Sequence, residues 1–320
     1  TKDGGHGGGA DLMLRGRRDE PTLKYPDLGA VVAKELGRMD SQVPDYVNFY
    51  TSTEGRGSAK TTPGFLGARY GAINLHDGKK LSLPNIEKLD SITKGDHEAR
   101  AELRNFLSSR FDQGRGLAAV KSHAAAYARV HGLMNCEKLF DISDEPQHIK
   151  DMYGPTQFAE QTIMARRMVE AGVPFVRVSR AWWDSHGQNF ETHLEMVPEL
   201  DRVLSALIDD LKERGMLEDT LVVTMGEFGR TPKINGSLGR DHFATAWSAS
   251  LHGGRTVPGA VYGKTDAKGE RVVDGEIGAG EMFATILEAA GIDHKREYHV
   301  GARPIPLVNP GIKPVTEVIA

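Results

Sequence analysis

One cysteine, Cys136, stands in 320 residues, so neither an internal disulfide nor a cage of thiolates around a metal can form. No apolar run approaches the ~18 residues that a membrane-spanning helix needs. Positive charge is not in excess either: 40 Lys and Arg face 44 Asp and Glu, for a formal net charge of −4. A chain so balanced offers no counterion-releasing surface to nucleic acid. Motifs are missing as well. No Gly-x-Ser-x-Gly elbow offers a serine nucleophile, and no Walker loop or dinucleotide fingerprint follows a predicted strand. With those enzyme classes set aside, metal-assisted hydrolysis is left standing.

What is present describes an ordinary globular chain, 39% apolar and 26% charged, long enough to bury a real core. It is read as one α/β domain over residues 1–320, with a helical insertion around 85–150. Hydrophobic spacing predicts a helix over Leu28 to Leu36 and a short strand over Tyr46 to Tyr50. A turn at Thr61 to Gly67 is expected to pack an apolar side chain. Helices are predicted over Asn85 to Leu89, Asp96 to Arg110 and Leu117 to Asn135. Another starts at Ser143 to Pro146, and one more runs from Gln157 to Glu170 between Thr156 and Gly172.

The clearest unit follows. Val173 to Ser179 alternates as a strand, and Phe190 to Arg214 is a long helix with Leu194, Val197, Leu200, Leu204, Leu207, Ile208 and Leu211 on one stripe. Leu221 to Thr224 is a continuous apolar strand of the kind buried in a parallel sheet. Strand, helix and strand so arranged predict a right-handed βαβ crossover. A further strand is expected at Trp247 to Leu251 and a helix at Glu281 to Ala290.

Chemistry gathers at the ends of these strands. Asp184 and His186 project to the same side of an extended backbone and can share one ion, although a capping Asp beside an exposed His is the plainer reading. Glu227 ends a buried strand, where a carboxylate needs a cation. Arg230 either pairs with Glu227 or clamps an anionic oxygen with its planar fork. Asp241 and His242 suit two ligands, or one ligand and the group that orients it. The metal set is therefore Asp184, His186, Glu227, Asp241 and His242, with Glu227, Arg230 and His6 as catalytic candidates. His6 lies in a glycine-rich stretch read as a flexible loop, and His193 is read as a surface helical residue, with a further ligand as the alternative. Such donors accept a divalent ion, zinc first, with manganese or calcium as alternatives.

The runs Trp183 to Phe190, Val222 to Asn235 and Gly239 to His242 closely resemble a bacterial family known as domain of unknown function 1501, often described as sulfatase-like. The resemblance extends from the His6 loop to Gly301–Val308. That family is similar to the alkaline phosphatase superfamily, which implies a three-layer sandwich around a mostly parallel central sheet. It implies hydrolysis of a phosphate or sulfate ester, of a small molecule or a glycan, with Asp184, His186 and His242 on the metal. Glu227 and Phe228 stand where the superfamily has Asp and His. A degenerate module that binds glycan or another anion without cleaving it is the rival expectation. Superfamily members carry a nucleophile and a first metal-binding Asp upstream of the region matching His6. The chain opens at Thr1 without Met or signal segment, so an N-terminally incomplete chain lacking a strand is expected. Export to the periplasm or cell exterior is implied by the resemblance alone.

Overall fold

The computed structural model describes residues 1–38, 41, 43–50, 61–76, 91–113, 127, 132 and 137–320. Among these it is a mixed α/β structure with eight α-helices and a three-stranded parallel sheet. The sheet runs β2-β1-β3, from β1 (Tyr46–Tyr50), β2 (Ile73–His76) and β3 (Phe175–Val178). Val47 pairs with Ile73 on one side and Val176 on the other. Parallel neighbours cannot be joined by tight turns, so long connections separate all three strands in sequence.

Helix ends follow their capping chemistry. In α1 (His6–Arg15) and α2 (Leu28–Leu36) the contrast is clear: α2 has a side-chain cap, Asp27 accepting from the Ala30 N–H at 2.9 Å, and α1 has none. After β2 come α3 (Lys94–Asp112), α4 (Glu137–Phe140) and α5 (Gln147–Tyr153). The helices expected at Asn85 to Leu89 and, for nearly all its length, Leu117 to Asn135 lie outside the described residues. Thr156 caps α6 (Gln157–Glu170), and Gly172 leaves it at φ 93°, a value that glycine adopts freely.

The largest core forms around α8 (Ala279–Ala289), where Met282, Phe283, Ile286 and Leu287 are buried against Met13, Leu28, Val31 and Val32. Fully burying Phe283 or Leu287 contributes roughly 1.5–3 kcal/mol each. The turn expected at Thr61 to Gly67 does pack an apolar side chain, since Phe65 lies against this core and against Tyr25.

Three expectations are corrected. Strand β4 (Val222–Met225) pairs not with β3 but with β7 (Ala249–His252), in an antiparallel ladder. The chain leaves β4, builds a long loop and re-enters in the opposite direction, so the two strands flanking α7 (Asn189–Glu213) belong to different ladders. The apolar stripe of α7 is not the face that is buried: of its members only Leu211 is inside, with Met196, Val203 and Ala206 from outside the stripe, while Leu194 is 78% exposed and Val197 48%. Pro198 lies within the helix. Third, the glycine-rich start is a helix. A Cβ on Gly9 would meet Phe228 Cδ1 at 3.0 Å and the Glu227 carbonyl oxygen at 3.2 Å. Gly9 serves close approach to residues 227–228.

A buried charge cluster fixes α7 against its neighbours. The Arg166 guanidinium meets Glu145 at 2.7 Å, Asp210 at 2.9 Å and Glu170 at 2.9 Å, and the Tyr153 hydroxyl donates to Asp210 at 3.0 Å. Burial alone would push the Glu145 carboxyl up; hydrogen bonds from Arg166 and Arg167 outweigh it and hold Glu145 below its ordinary value.

Candidate metal centre

Three chain segments meet where β3 and β4 end. The first is the start of α1, which carries His6. The second is the connection from β3 to α7, with Asp184 and His186. The third is the loop after β4, where Gly229–Arg230 and His242–Phe243 pair as a two-residue ladder, β5 with β6. That short ladder sets Arg230 opposite His242 and brings Glu227 within reach of His6.

Asp184 is the hub. Its Oδ1 lies 2.9 Å from His186 Nε2 and 3.0 Å from His242 Nε2, and its Oδ2 lies 3.0 Å from His6 Nε2. The two histidine nitrogens His186 Nε2 and His242 Nε2 are 3.0 Å apart. Each imidazole is anchored from behind through its other nitrogen. His6 Nδ1 meets Glu227 Oε1 at 2.7 Å, His186 Nδ1 meets Asp241 Oδ1 at 2.8 Å, and His242 Nδ1 meets the Gly4 carbonyl oxygen at 2.6 Å.

Those anchors decide the tautomers. A carbonyl or ionised carboxylate only accepts, so His186 and His242 donate from Nδ1 and, when neutral, present a bare Nε2 lone pair. Two such lone pairs and a carboxylate oxygen, mutually about 3 Å apart, repel unless positive charge lies among them. A metal ion about 2.1 Å from each donor would separate them by about 3.0–3.4 Å for octahedral or tetrahedral geometry. The residues therefore fit a divalent ion, and an oxygen behind each ring is the arrangement that orients metal-bound histidines.

Arg230 supplies positive charge from one side, its Nη1 lying 2.6 Å from Asp184 Oδ1. Of the two roles open to it, the ion pair it makes is with Asp184. Burial of Asp184 raises its carboxyl, but hydrogen bonds from Arg230 and His242 prevail and leave it far below the ordinary carboxylate range. Asp241, about half exposed, is also lowered, by its bonds to His186 and Asn235. The Phe228 ring forms an apolar wall, 4.4 Å from the His242 ring and 5.4 Å from that of His6.

All the candidate residues named from the sequence are thus in one place, with different partners for each. Asp184, His186 and His242 converge directly, and His6 joins Asp184 and His242 in a group able to hold an ion. Glu227 and Asp241 bond to the rear nitrogens of His6 and His186. His193 is elsewhere, donating from Nδ1 to the Asn189 carbonyl, with its ring tilted against that of Trp183. A second His-carboxylate group joins Glu288, in the last turn of α8, to Asp293 and His294 beyond its end, and Glu288 also accepts from the His294 backbone N–H.

The profile of a family described as "Protein of unknown function (DUF1501)" matches residues 1–319. The chain belongs to that family. No curated protein and no solved structure matches it.

Sequence reasoning missed Gly239 and Arg240, which lock the loop beneath the site. A Cβ on Gly239 would lie 2.0 Å from the His186 carbonyl group, so only glycine allows that approach. The Arg240 N–H donates to Ser185 O at 3.0 Å, and its Nη1 reaches the Thr231 and Pro232 carbonyls at 2.6 Å. Both lie inside the runs that carried the resemblance, but nothing in residue type announces a backbone contact.

Proposed function

We propose that this protein is a metal-dependent hydrolase of phosphate or sulfate esters, with the alkaline-phosphatase type of three-layer fold. The observation that supports it is the convergence of His186 Nε2, His242 Nε2 and Asp184 Oδ1, each ring held from behind by an oxygen. Zinc is the leading candidate for the ion, with manganese or calcium as alternatives. When bound, a divalent ion supplies Lewis-acid polarisation of an ester oxygen and a nucleophilic water at neutral pH.

The protein's own residues do the rest. Asp184, His186 and His242 hold the ion, and Asp241 and Gly4 fix the rings that face it. Arg230 lies beside Asp184 with a fork suited to a tetrahedral anion, and it steadies the non-bridging oxygens of the ester. His6 is half exposed, with Glu227 on Nδ1 and Nε2 turned toward the centre. That is the geometry of an oriented general acid, and His6 Nε2 gives its proton to the departing alcohol oxygen. The Phe228 wall keeps water from one flank. The substrate is an anionic small molecule or glycan ester, met in the periplasm or outside the cell.

A binding module without catalysis is the second reading, and Phe228 favours it. An apolar ring packs on His6 and His242 where a ligating side chain would complete a second ion site. One experiment separates the two. Metal content and hydrolysis of aryl phosphate and aryl sulfate esters are measured for the protein, Asp184→Ala and His242→Ala. The expected result is about one ion bound and ester cleavage, both lost in each variant. Bound metal without cleavage supports the binding module. Unchanged metal content in both variants removes the proposed ligands.

A further inference from the structure

We infer that Asn235 is a positioning residue for the metal centre, one amide whose two ends do different work; this rests on the metal reading above. Its carbonyl oxygen accepts from the Ser237 N–H at 2.9 Å and the Gly239 N–H at 2.9 Å, and so closes the loop Asn235–Gly239 on itself. Its NH2 group donates to the His186 carbonyl at 3.0 Å and to Asp241 Oδ1 at 3.0 Å. Two donors and a doubly accepting carbonyl use the hydrogen-bonding capacity of the amide in full.

The NH2 end is the consequential one. Asp241 Oδ1 is also the atom that anchors His186 Nδ1. Asn235 therefore holds one ligand twice, through the backbone of His186 and through the carboxylate that orients its ring. The loop it closes delivers Gly239, Arg240, Asp241 and His242 in succession, and the N–H groups of Gln188 and Asn189 dock on Ser237 and Leu238 carbonyls. Leu238 adopts a left-handed φ of 58°, a strained conformation for a leucine that this tight closure imposes. Both ligand-bearing segments thus depend on a side chain that touches neither the ion nor the substrate. A partner that orients a ligand in this way is typically worth about 10–100-fold in metal affinity.

Asn235→Asp separates the two ends, because it keeps an acceptor for Ser237 and Gly239 and removes the donor to His186 and Asp241. It also adds negative charge near the centre. A purely electrostatic role would then make cation binding tighter, whereas a positioning role makes it weaker. Cobalt(II) is titrated into the metal-stripped protein, N235D and N235A, with affinity from calorimetry, geometry from the visible d–d spectrum and fold from circular dichroism. The expected outcome for N235D is a native fold, affinity lower by about 10–100-fold and an altered spectrum; N235A is weakened at least as much. Wild-type affinity and spectrum in N235D overturn the inference. Unfolding of N235D overturns it too, since a structural role then suffices. A wild-type protein that takes up no cobalt, zinc or manganese sinks the metal reading itself, a result distinct from either.

Discussion

Asp184 shows how much one side chain can be asked to do. Its two oxygens face three imidazole nitrogens and a guanidinium, and the sum of those contacts keeps it ionised against partial burial. Residue type and strand-end position made Asp184, His186, Asp241 and His242 legible in the sequence. What could not be read was which carboxylate faces the inner imidazole nitrogens and which stands behind a ring, because spacing along the chain does not encode depth. Glu227 and Asp241 are candidate ligands by type, yet each stands behind a ring, on His6 Nδ1 and His186 Nδ1. His6 was obscured by its glycines, which suggest mobility until the stretch is seen as a helix with Gly9 pressed against residues 227–228. The sharpest expectation at this scale concerns Gly239→Ala. Its methyl group would overlap the His186 carbonyl, backbone that cannot swing aside. A loss of about 1–3 kcal/mol is expected from chemical denaturation, together with weaker metal binding. An alanine variant with wild-type stability and affinity would show that the two loops are free to separate.

Helix α7 is where local and tertiary signals part. Its length and boundaries follow from periodicity and from Gly215 beyond its end. Its burial does not, since the face turned inward, with Asn189, Met196, Val203 and Asp210, is offset from the apolar stripe. Its anchorage comes from Arg166, Glu145, Glu170 and Asp210, which hydrophobic patterning cannot reveal. Removing the cation from such a cluster leaves buried carboxylates without compensation, so Arg166→Met is expected to cost about 3–5 kcal/mol. Glu145 gives the pH signature. Its folded value lies below its unfolded one, so its contribution is full above the unfolded value near ~4.3 and is lost as pH falls further. Urea denaturation between pH 7 and 3 should show stability of the native protein falling below about pH 4.5, with a shallower fall in Arg166→Met. Parallel curves would mean that the cluster does not carry the acid sensitivity. In the same way β3, α7 and β4 were each foreseen, whereas their ladder partners were not, because an antiparallel return through β7 depends on how the loop after β4 folds.

At the scale of the molecule, segments around residues 6, 184–186 and 227–242 come together although the chain separates them widely. The mixed α/β frame achieves this by ending β3 and β4 near one another and by resting α1 on the loop after β4. A cation placed there would tie the first turn of the first helix to two distant loops. No helix among the described residues is long and apolar enough to cross a membrane, and the residue chemistry that stands out is this cluster. The most direct test is anomalous diffraction at the zinc edge from crystals of the protein grown with zinc. The expected result is a peak about 2.0–2.2 Å from His186 Nε2, His242 Nε2 and an Asp184 oxygen. Zinc elsewhere, or those three side chains turned away from one another with no peak between them, would contradict it.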